Sequence, residues 1–305
     1  MSNGPPRIFD RDLHRLRLDR AAGGYAGFLK ARAADDAADR LSAVLHDFPL
    51  ALDLGSRDGA FARALAGTPA EGRVGTVIEA DLSEKMLRNT AAASRSAMRL
   101  VADEERLPFA PESLDLVVSL LSLHWTNDLV GVLVQIRRAL KPDGLFIGAL
   151  FGAATLTELR QSLIQAEAEL TGGAGLRVSP FADGYDMAGL LQRAGFALPV
   201  SDIDRVTVRY DHPLKLMADL RAMGETNALV DRARPPLSRA VLARAFEIYR
   251  ERFGLPDGRV PATFEILTAT GWAPHPSQPK PLKPGSAKMR LADALGTVEH
   301  KLGDG

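Results

Sequence analysis

Short apolar runs alternate with helix-length segments from residue 50 onward, and this alternation constrains the fold more than any other feature of the chain. Strands are predicted at 50–54, 74–80, 98–102, 114–121 and 145–151. The run 114–121 is apolar enough for a strand buried on both faces, which is typical of parallel sheets. Strands that alternate with helices in this way predict an α/β fold, in which helices cover both faces of a mostly parallel sheet.

Three parts of the chain differ in their patterning. Residues 1–49 are rich in Ala, Arg and Asp and predict two helices, with the charged segment Asp10 to Arg20 as a solvated helix face. Residues 50–272 hold the alternating domain, with helical additions at 212–255. Residues 273–305 begin with a stretch rich in proline and lysine, and we expect an extended arm there.

Two motifs predict element boundaries in the middle of the chain. The sequence Lys141-Pro142-Asp143-Gly144 is a turn signal that ends the helix before it. Thr155 and Glu158 have the spacing of a capping box, in which both side chains bond to free N–H groups at a helix start. We therefore expect these two residues to open the next helix.

Charge and composition exclude several classes of protein. The chain has 38 basic and 38 acidic residues, so its formal net charge is zero. This balance gives no sign of nucleic-acid binding, although a local basic patch would escape the count. The absence of cysteine excludes disulfides, thiolate metal sites and cysteine nucleophiles. No run approaches the roughly 18 apolar residues of a membrane-spanning helix, and without a targeting pattern we expect a cytoplasmic protein.

A glycine-containing loop follows the first predicted strand, where an open parallel sheet binds its ligands. It runs from Asp53 to Gly59 with the sequence Asp-Leu-Gly-Ser-Arg-Asp-Gly, which matches neither the dinucleotide-binding nor the P-loop motif. Asp81 closes the second strand and Asp103 the third. A carboxylate at Asp81 can bind both hydroxyls of a ribose. Acids at successive strand ends beside a glycine loop predict a nucleoside pocket.

Further motifs extend from one end of the chain to the other. Those near the loop are Leu50 to Gly59, Ala80-Asp81-Leu82-Ser83, Ala102-Asp103 with Leu107-Pro108-Phe109, and Leu140-Lys141-Pro142-Asp143-Gly144. They resemble the motifs of class I S-adenosylmethionine (SAM)-dependent methyltransferases. The others are Ile8-Phe9-Asp10-Arg11, Ala102-Asp103-Glu104-Glu105, Ser122-Leu123-His124-Trp125, Phe146-Ile147-Gly148-Ala149, Met223-Gly224-Glu225 and Pro261-Ala262-Thr263. With these, the chain resembles the mitochondrial complex I assembly factor 5 family and its bacterial relatives.

This resemblance implies a Rossmann-like, seven-stranded sheet whose last strand is antiparallel, and SAM as the cofactor. By analogy, Gly55 and Gly59 flank the methionine part of SAM, and Asp103 takes the adenine amine. Asp81 holds the ribose, with Glu79 as the fallback. The implied cofactor site also includes Asp53, Arg57, Leu82, Glu104 and Leu120.

Arg57 departs from the general motif, which has glycine at this position. An arginine there has a Cβ and a long side chain where the amino-acid end of the cofactor approaches. Either its guanidinium binds the cofactor's carboxylate through two hydrogen bonds, or it obstructs the site. We favour the first alternative.

His124 and Glu225 are the candidate catalytic residues. His124 and Trp125 follow the fourth strand, where this fold exposes side chains to cofactor and substrate, and a neutral histidine can accept a proton near pH 7. Glu225 can bind an arginine guanidinium through two hydrogen bonds. No metal site is predicted, because the six histidines lie far apart and none forms a His-x-Asp/Glu pair.

Three functions are compatible with these residues. The resemblance implies a SAM-binding enzyme that assists assembly of respiratory complex I and hydroxylates an arginine on a peripheral subunit. Its eukaryotic relatives act in the mitochondrial matrix, and peripheral contact with a membrane is compatible with this role. The second function is methylation of a small molecule or carrier-bound acid, as in the biotin pathway, and the third is a non-catalytic assembly chaperone. The chain-long match favours the first function over the second, and intact Asp81 and Asp103 argue against the third.

Overall fold

The computed structural model describes residues 7–90, 98–179, 181, 187–233, 235–279 and 296 of the chain. The chain divides into two units, Met1–Pro274 and His275–Gly305. The N-terminal helical segment and the alternating domain therefore belong to one unit. The predicted C-terminal arm lies mostly outside the described residues.

Seven strands of the described residues form one sheet in the order β3-β2-β1-β4-β5-β7-β6. β7 is antiparallel to both of its neighbours, whereas the pairs among β1 to β5 are parallel. This arrangement confirms the predicted seven-stranded, mostly parallel sheet. The strands are β1 (Phe48–Leu54), β2 (Val74–Asp81), β3 (Met98–Val101), β4 (Leu114–Leu120), β5 (Leu140–Phe151), β6 (Ala197–Tyr210) and β7 (Val260–Trp272).

Helices cover both faces of this sheet. Alternate residues of β1 show the two layers: Ala51 belongs to the core cluster under α2, α3, α6 and α9, and Leu52 and Leu54 belong to the cluster under α5 and α7. The helices are α1 (Arg11–Ala21), α2 (Phe28–Ser42), α3 (Ala60–Leu65), α4 (Glu84–Thr90), α5 (Leu129–Ala139), α6 (Thr157–Thr171), α7 (Met187–Arg193), α8 (Pro213–Ala222) and α9 (Arg239–Phe253). None of these described helices has the length and apolar character that a membrane crossing requires.

The predicted capping box is wrong. α6 begins at Thr157, two residues later than expected. Thr155 Oγ1 instead exchanges hydrogen bonds of 3.0 and 3.1 Å with the backbone of Glu265, and the Glu158 carboxylate accepts from the backbone and hydroxyl of Thr263. The pairing of β5 with β7 ends at Ile266. Beyond that point the backbone N–H groups of Thr263 and Glu265 need acceptors. The side chains of Glu158 and Thr155 supply them.

The predicted turn at Lys141 to Gly144 lies inside β5 as an irregularity. Leu114 of β4 pairs with Leu140 and Leu116 pairs with Leu145, so β5 carries the extra residues of this segment at the register shift. Asp143 takes a left-handed conformation there, with φ of 65°. The segment therefore has a turn-like backbone at Asp143, as predicted, but it lies within β5 rather than before it.

The N-terminal segment positions the site by covering the carboxyl ends of the central strands. Phe9 pairs with Leu229 through an isolated antiparallel bridge, and Asp10 N donates to Ala228 O at 2.8 Å. Asp10 also caps α1, because its carboxylate accepts from Leu13 N at 3.0 Å. These contacts bring α1 and the segment that follows α8 to the same edge of the sheet.

Candidate active site

A buried pair of opposite charges lies where the sequence predicts the nucleoside pocket. Arg57 Nη1 donates to Asp81 Oδ2 at 2.7 Å, and the Arg57 backbone N donates to the same oxygen at 2.9 Å. Ser83 N donates to Asp81 Oδ1 at 2.8 Å. The two charged side chains are 1% and 0% exposed. Both carboxylate oxygens of Asp81 are therefore occupied by donors of the protein itself.

The glycine loop can make this pair because its backbone is left-handed at three positions. Gly55, Arg57 and Gly59 have φ of 74°, 54° and 71°. At Gly55 an added Cβ would lie 2.3 Å from Ser122 Oγ, so only glycine fits. A left-handed conformation costs a residue with a Cβ about 1–2 kcal/mol. At Arg57 the hydrogen bonds to Asp81 offset that cost.

A second arginine neutralises the acids that follow β3. Arg11 of α1 pairs with Asp103 at 2.8 Å and also makes a direct ion pair with Glu104. Ser122 Oγ donates to Glu104 Oε1 at 2.5 Å. Burial alone would raise the pKa of Glu104, but Arg11 and then Arg57 lower that pKa below its usual value. The Glu104 carboxylate is therefore ionised in the folded protein, between two guanidinium groups.

We call the predicted cofactor site, formed by the glycine loop, Asp81 and Asp103, the cradle. Its residues do not fit SAM in this arrangement. Asp81, which the resemblance assigns to the ribose, has both oxygens occupied, and Asp103, assigned to the adenine amine, is paired with Arg11. The Arg57 guanidinium donates to Asp81 and Ser122 in this arrangement, and its bond to the cofactor's carboxylate stays a prediction. The cradle is closed by arginine side chains.

Two other predicted cofactor residues have no free polar group facing the cradle. The fallback acid Glu79 is fully buried and pairs with Arg99 at 3.2 Å. Leu82 is half-buried beside Asp81. Neither residue replaces Asp81 as an acceptor for ribose hydroxyls in this arrangement.

A buried lysine ties α2 to the ends of β1 and β4. Lys30 Nζ donates to Gly55 O at 2.8 Å and to Leu120 O at 2.7 Å. Asp53 lies nearby, fully buried, and its carboxylate oxygens have no hydrogen-bond partner among the described residues. Burial raises the pKa of Asp53 to about 7, although the charge of Lys30 opposes the shift. Lys30 therefore joins the glycine loop to the end of β4 at Leu120, and its charge lies close to the Asp53 carboxylate.

The structure brings the two predicted catalytic residues into contact. Glu225 Oε2 lies 3.0 Å from His124 Nε2 and accepts a hydrogen bond of 2.7 Å from Trp125 Nε1, although His124 and Glu225 are 101 positions apart. The Glu225 side chain is 9% exposed. Its second oxygen, Oε1, has no hydrogen-bond partner among the described residues. One oxygen of a held carboxylate is thus available to a ligand.

Glu225 lines a narrow cavity of about 180 Å³. Its walls are mostly aliphatic and aromatic. The charged residues that line it are Glu225, Arg221 and Arg177, and Arg177 is paired with Glu167. The apolar residues that line it are Leu156, Leu159, Leu163, Val178, Phe181, Met217, Leu220 and Leu237. A long side chain with an apolar stem and a cationic end matches this combination of walls and carboxylate.

The prediction that the charged face of α1 is solvated holds for Asp12, Arg15 and Arg20, which are exposed, but not for the side of the helix that packs on the site. Arg11, His14 and Leu18 are buried, and the ring of His14 stacks on Trp125 with 4.6 Å between centroids. Burial, and then the charge of Arg57, holds the pKa of His14 well below its usual value, so its imidazole is neutral. These residues follow one another at helical spacing, which is the signal that sequence reasoning missed.

Comparison with known proteins gives both a family and a fold. A methyltransferase domain model matches residues 52–148. Mitochondrial arginine-hydroxylase NDUFAF5 of Danio rerio is 43% identical over 290 residues, which cover 94% of this chain and 89% of that protein. Malonyl-[acyl-carrier protein] O-methyltransferase of Methylovorus sp. is 33% identical over 308 residues, 96% of each chain. The crystal structure of a proposed methyltransferase from Bacillus halodurans shares the fold, with a TM-score of 0.55 and 17% identity over 79% of this chain and 99% of that one.

Loss of the Arg57 charge is expected to destabilise the protein. Arg57→Met leaves the buried Asp81 carboxylate without its partner, and we expect the free energy of unfolding to fall by about 3–5 kcal/mol. Methionine has the same left-handed backbone strain as arginine, so urea unfolding reports the lost charge. The double variant Arg57→Met/Asp81→Asn removes both charges and is expected to be more stable than the single variant. A single variant within about 0.5 kcal/mol of the parent, the usual range for surface changes, would contradict this.

Asp53 is expected to make stability depend on pH. Its pKa is about 7 in the folded protein against an ordinary value of 3.8, so the folded state holds the proton more tightly than the unfolded state. The resulting stabilisation is complete below the ordinary value and is lost as the pH rises through about 7. Asparagine cannot ionise, so Asp53→Asn should gain stability relative to the parent between pH 5 and pH 8. Urea unfolding measures the difference in free energy of unfolding between Asp53→Asn and the parent. The same difference at pH 5 and at pH 8 would refute this assignment.

Proposed function

Because the chain belongs to the family of arginine-hydroxylase NDUFAF5, within the class I methyltransferases, we propose that it modifies an arginine side chain on a peripheral subunit of respiratory complex I. The chain is a methyltransferase-like enzyme by domain and fold, and its named relatives are enzymes. We propose that the modification is hydroxylation, and that it takes place in the cytoplasm during assembly of the complex.

The free oxygen of Glu225 is the observation that carries this proposal. A guanidinium group presents several N–H donors in a planar fork and binds carboxylates strongly. His124 and Trp125 hold Glu225 Oε2, which fixes the carboxylate, and Glu225 lines the cavity. We infer that Oε1 faces the ligand there. The apolar walls suit the aliphatic stem of an arginine side chain. We infer that the substrate arginine enters this cavity with its guanidinium on Glu225.

In this proposal His124 is the residue that moves a proton during the reaction. His124 contacts Glu225 and lies against Phe151, with 4.9 Å between ring centroids. A guanidinium on Glu225 would therefore lie near the imidazole, which can accept or return a proton. Hydroxylation converts a C–H bond into C–OH, so the proposed reaction also consumes dioxygen and a two-electron reductant, and the second oxygen atom leaves as water. Among the described residues, no group of three or more His, Asp or Glu residues could hold a metal ion.

SAM is the cofactor that we propose for the cradle at the ends of β1 and β2. The donors and acceptors there, two acids and a glycine loop, are chemically suited to a nucleoside. The arrangement described above is closed, because Arg57 occupies Asp81 and Arg11 occupies Asp103 and Glu104. SAM binding therefore requires Arg57 to leave Asp81, and the free energy of that opening subtracts from the affinity.

Methylation of a carrier-bound acid is the alternative activity, because malonyl-[acyl-carrier protein] O-methyltransferase is a relative over the whole chain. In the Glu225 cavity a substrate carboxylate would be repelled by Glu225 and attracted by Arg221, which lines the same cavity. A chaperone without catalysis is compatible with the closed cradle. The product distinguishes the three functions.

Loss of the Glu225 charge should abolish modification of the substrate. In cells that contain complex I, we would disrupt the gene, restore it as parent, Glu225→Gln or the exposed control Glu247→Gln, and weigh arginine peptides of the peripheral subunits. We expect one arginine to carry an added oxygen with the parent and with the control, and not with Glu225→Gln. An added methylene would support the methyltransferase alternative. An arginine of unchanged mass with the parent would contradict an enzymatic role.

Removal of the Arg57 side chain should strengthen SAM binding. Arg57→Gly frees both oxygens of Asp81 for the ribose and restores a residue suited to the left-handed backbone. We expect affinity to rise about tenfold or more in calorimetry, because the opening cost disappears. Equal or weaker binding by the glycine variant would show that Arg57 assists the cofactor. Asp81→Asn in the glycine background is the matched control, and it should lose most of the gain.

A further inference from the structure

Five arginine residues lie around Asn227, at the edge of the sheet where α1 and α8 end. They line two neighbouring cavities of about 720 and 430 Å³, which have Arg17 and Asn227 in common. No acidic residue is among the described residues that line either cavity. The arginines are Arg17, Arg20, Arg177, Arg221 and Arg232.

Three of these arginines have no carboxylate partner in the described part of the chain. Arg177 pairs with Glu167 at 2.6 Å and Arg232 lies 3.5 Å from Asp10. Arg17, Arg20 and Arg221 make no such ion pair, although Arg17 donates to the backbone oxygen of Thr226. We call these three residues the arginine cluster.

The arginine cluster is a local excess of positive charge on a chain whose formal net charge is zero. Burial, and then the charges of Arg232 and Arg20, lowers the pKa of Arg17 to about 10, so it remains protonated at neutral pH while repelled by its neighbours. An anionic ligand would relieve this repulsion. The cavity walls between the arginines are small residues, including Ala21, Ala218 and Ala222, which leave room for an extended segment.

The larger arginine cavity adjoins the Glu225 cavity. Arg221, Thr226 and Asn227 line both. A chain rises by about 3.3–3.6 Å per residue when extended, so a segment with one residue in the Glu225 cavity can reach the cluster within a few positions. Glu225 lines the Glu225 cavity together with Arg177 and Arg221, whereas the charged residues among the described lining of the larger cavity are all arginines.

We propose that the arginine cluster binds acidic residues of the protein substrate, next in sequence to the arginine that enters the Glu225 cavity. The identity of the segment rests on the proposed function, whereas the binding of carboxylates by the cluster does not. Arginine binds carboxylates through two parallel hydrogen bonds. A basic segment is repelled at the cluster, so the cluster favours a segment that carries acidic residues beside the arginine.

Three synthetic peptides of equal length test the proposal. The first has a central arginine flanked by glutamates, the second has glutamines in place of the glutamates, and the third keeps the glutamates but has glutamine in place of the arginine. Binding is measured by fluorescence anisotropy at low salt, with inorganic phosphate and a single-stranded oligonucleotide as further probes. The protein variants are Arg20→Gln/Arg221→Gln and the control Arg209→Gln, an exposed arginine of β6 outside both cavities.

The glutamate peptide should bind the parent protein about tenfold more tightly than the glutamine peptide, since several charge pairs each contribute modestly. The double variant should lose most of this advantage and the control should keep it. The third peptide should also bind the parent more tightly than the double variant, which supports the cluster even if Glu225 does not bind arginine. Equal binding of the first two peptides, or an advantage that survives in the double variant, overturns the proposal. So does an oligonucleotide, or phosphate at matched ionic strength, that binds the cluster more tightly than the glutamate peptide.

Discussion

The buried ion pair between Arg57 and Asp81 is the interaction on which the rest of the site depends. It joins the glycine loop to the end of β2 and places a guanidinium beside Ser122 and near Glu104. Removing one partner of such a pair costs more than removing both, because a single buried charge is left without compensation. The loop, the acids after β3 and α1 are therefore held in one arrangement.

Trp125 links this closed cradle to the candidate substrate cavity. One face of its ring stacks on His14 of α1, its indole N–H donates to Glu225, and its backbone oxygen accepts from Arg11. A movement of α1 that releases Arg11 from the acids would therefore also disturb the residue that holds Glu225. Opening of the cradle and the position of the substrate carboxylate are thus physically connected through one side chain.

The sequence predicts the sheet well and the pairing within the site poorly. Apolar runs and acids at strand ends depend on local spacing, and they place the strands and the ligand-binding edge correctly. Arg57 and Asp81 lie 24 positions apart and Arg11 and Glu104 lie 93 positions apart, so no local pattern shows that these charges meet. The same limit explains α1, whose buried polar face has its partners after β3 and after β4. It also explains Thr155 and Glu158, which bind β7 rather than their own helix. Glu225 was selected by resemblance alone, and only the fold brings it to His124.

Arg57 occupies Asp81, the acid to which the resemblance assigns the ribose of SAM, and we propose that SAM binding displaces it. A crystal structure of the protein grown with S-adenosylhomocysteine, the demethylated product of SAM, tests this claim most directly. We expect the ribose hydroxyls to donate hydrogen bonds to Asp81 and the Arg57 guanidinium to have moved away from it. A bound nucleoside with the 2.7 Å contact between Arg57 and Asp81 intact would contradict the claim.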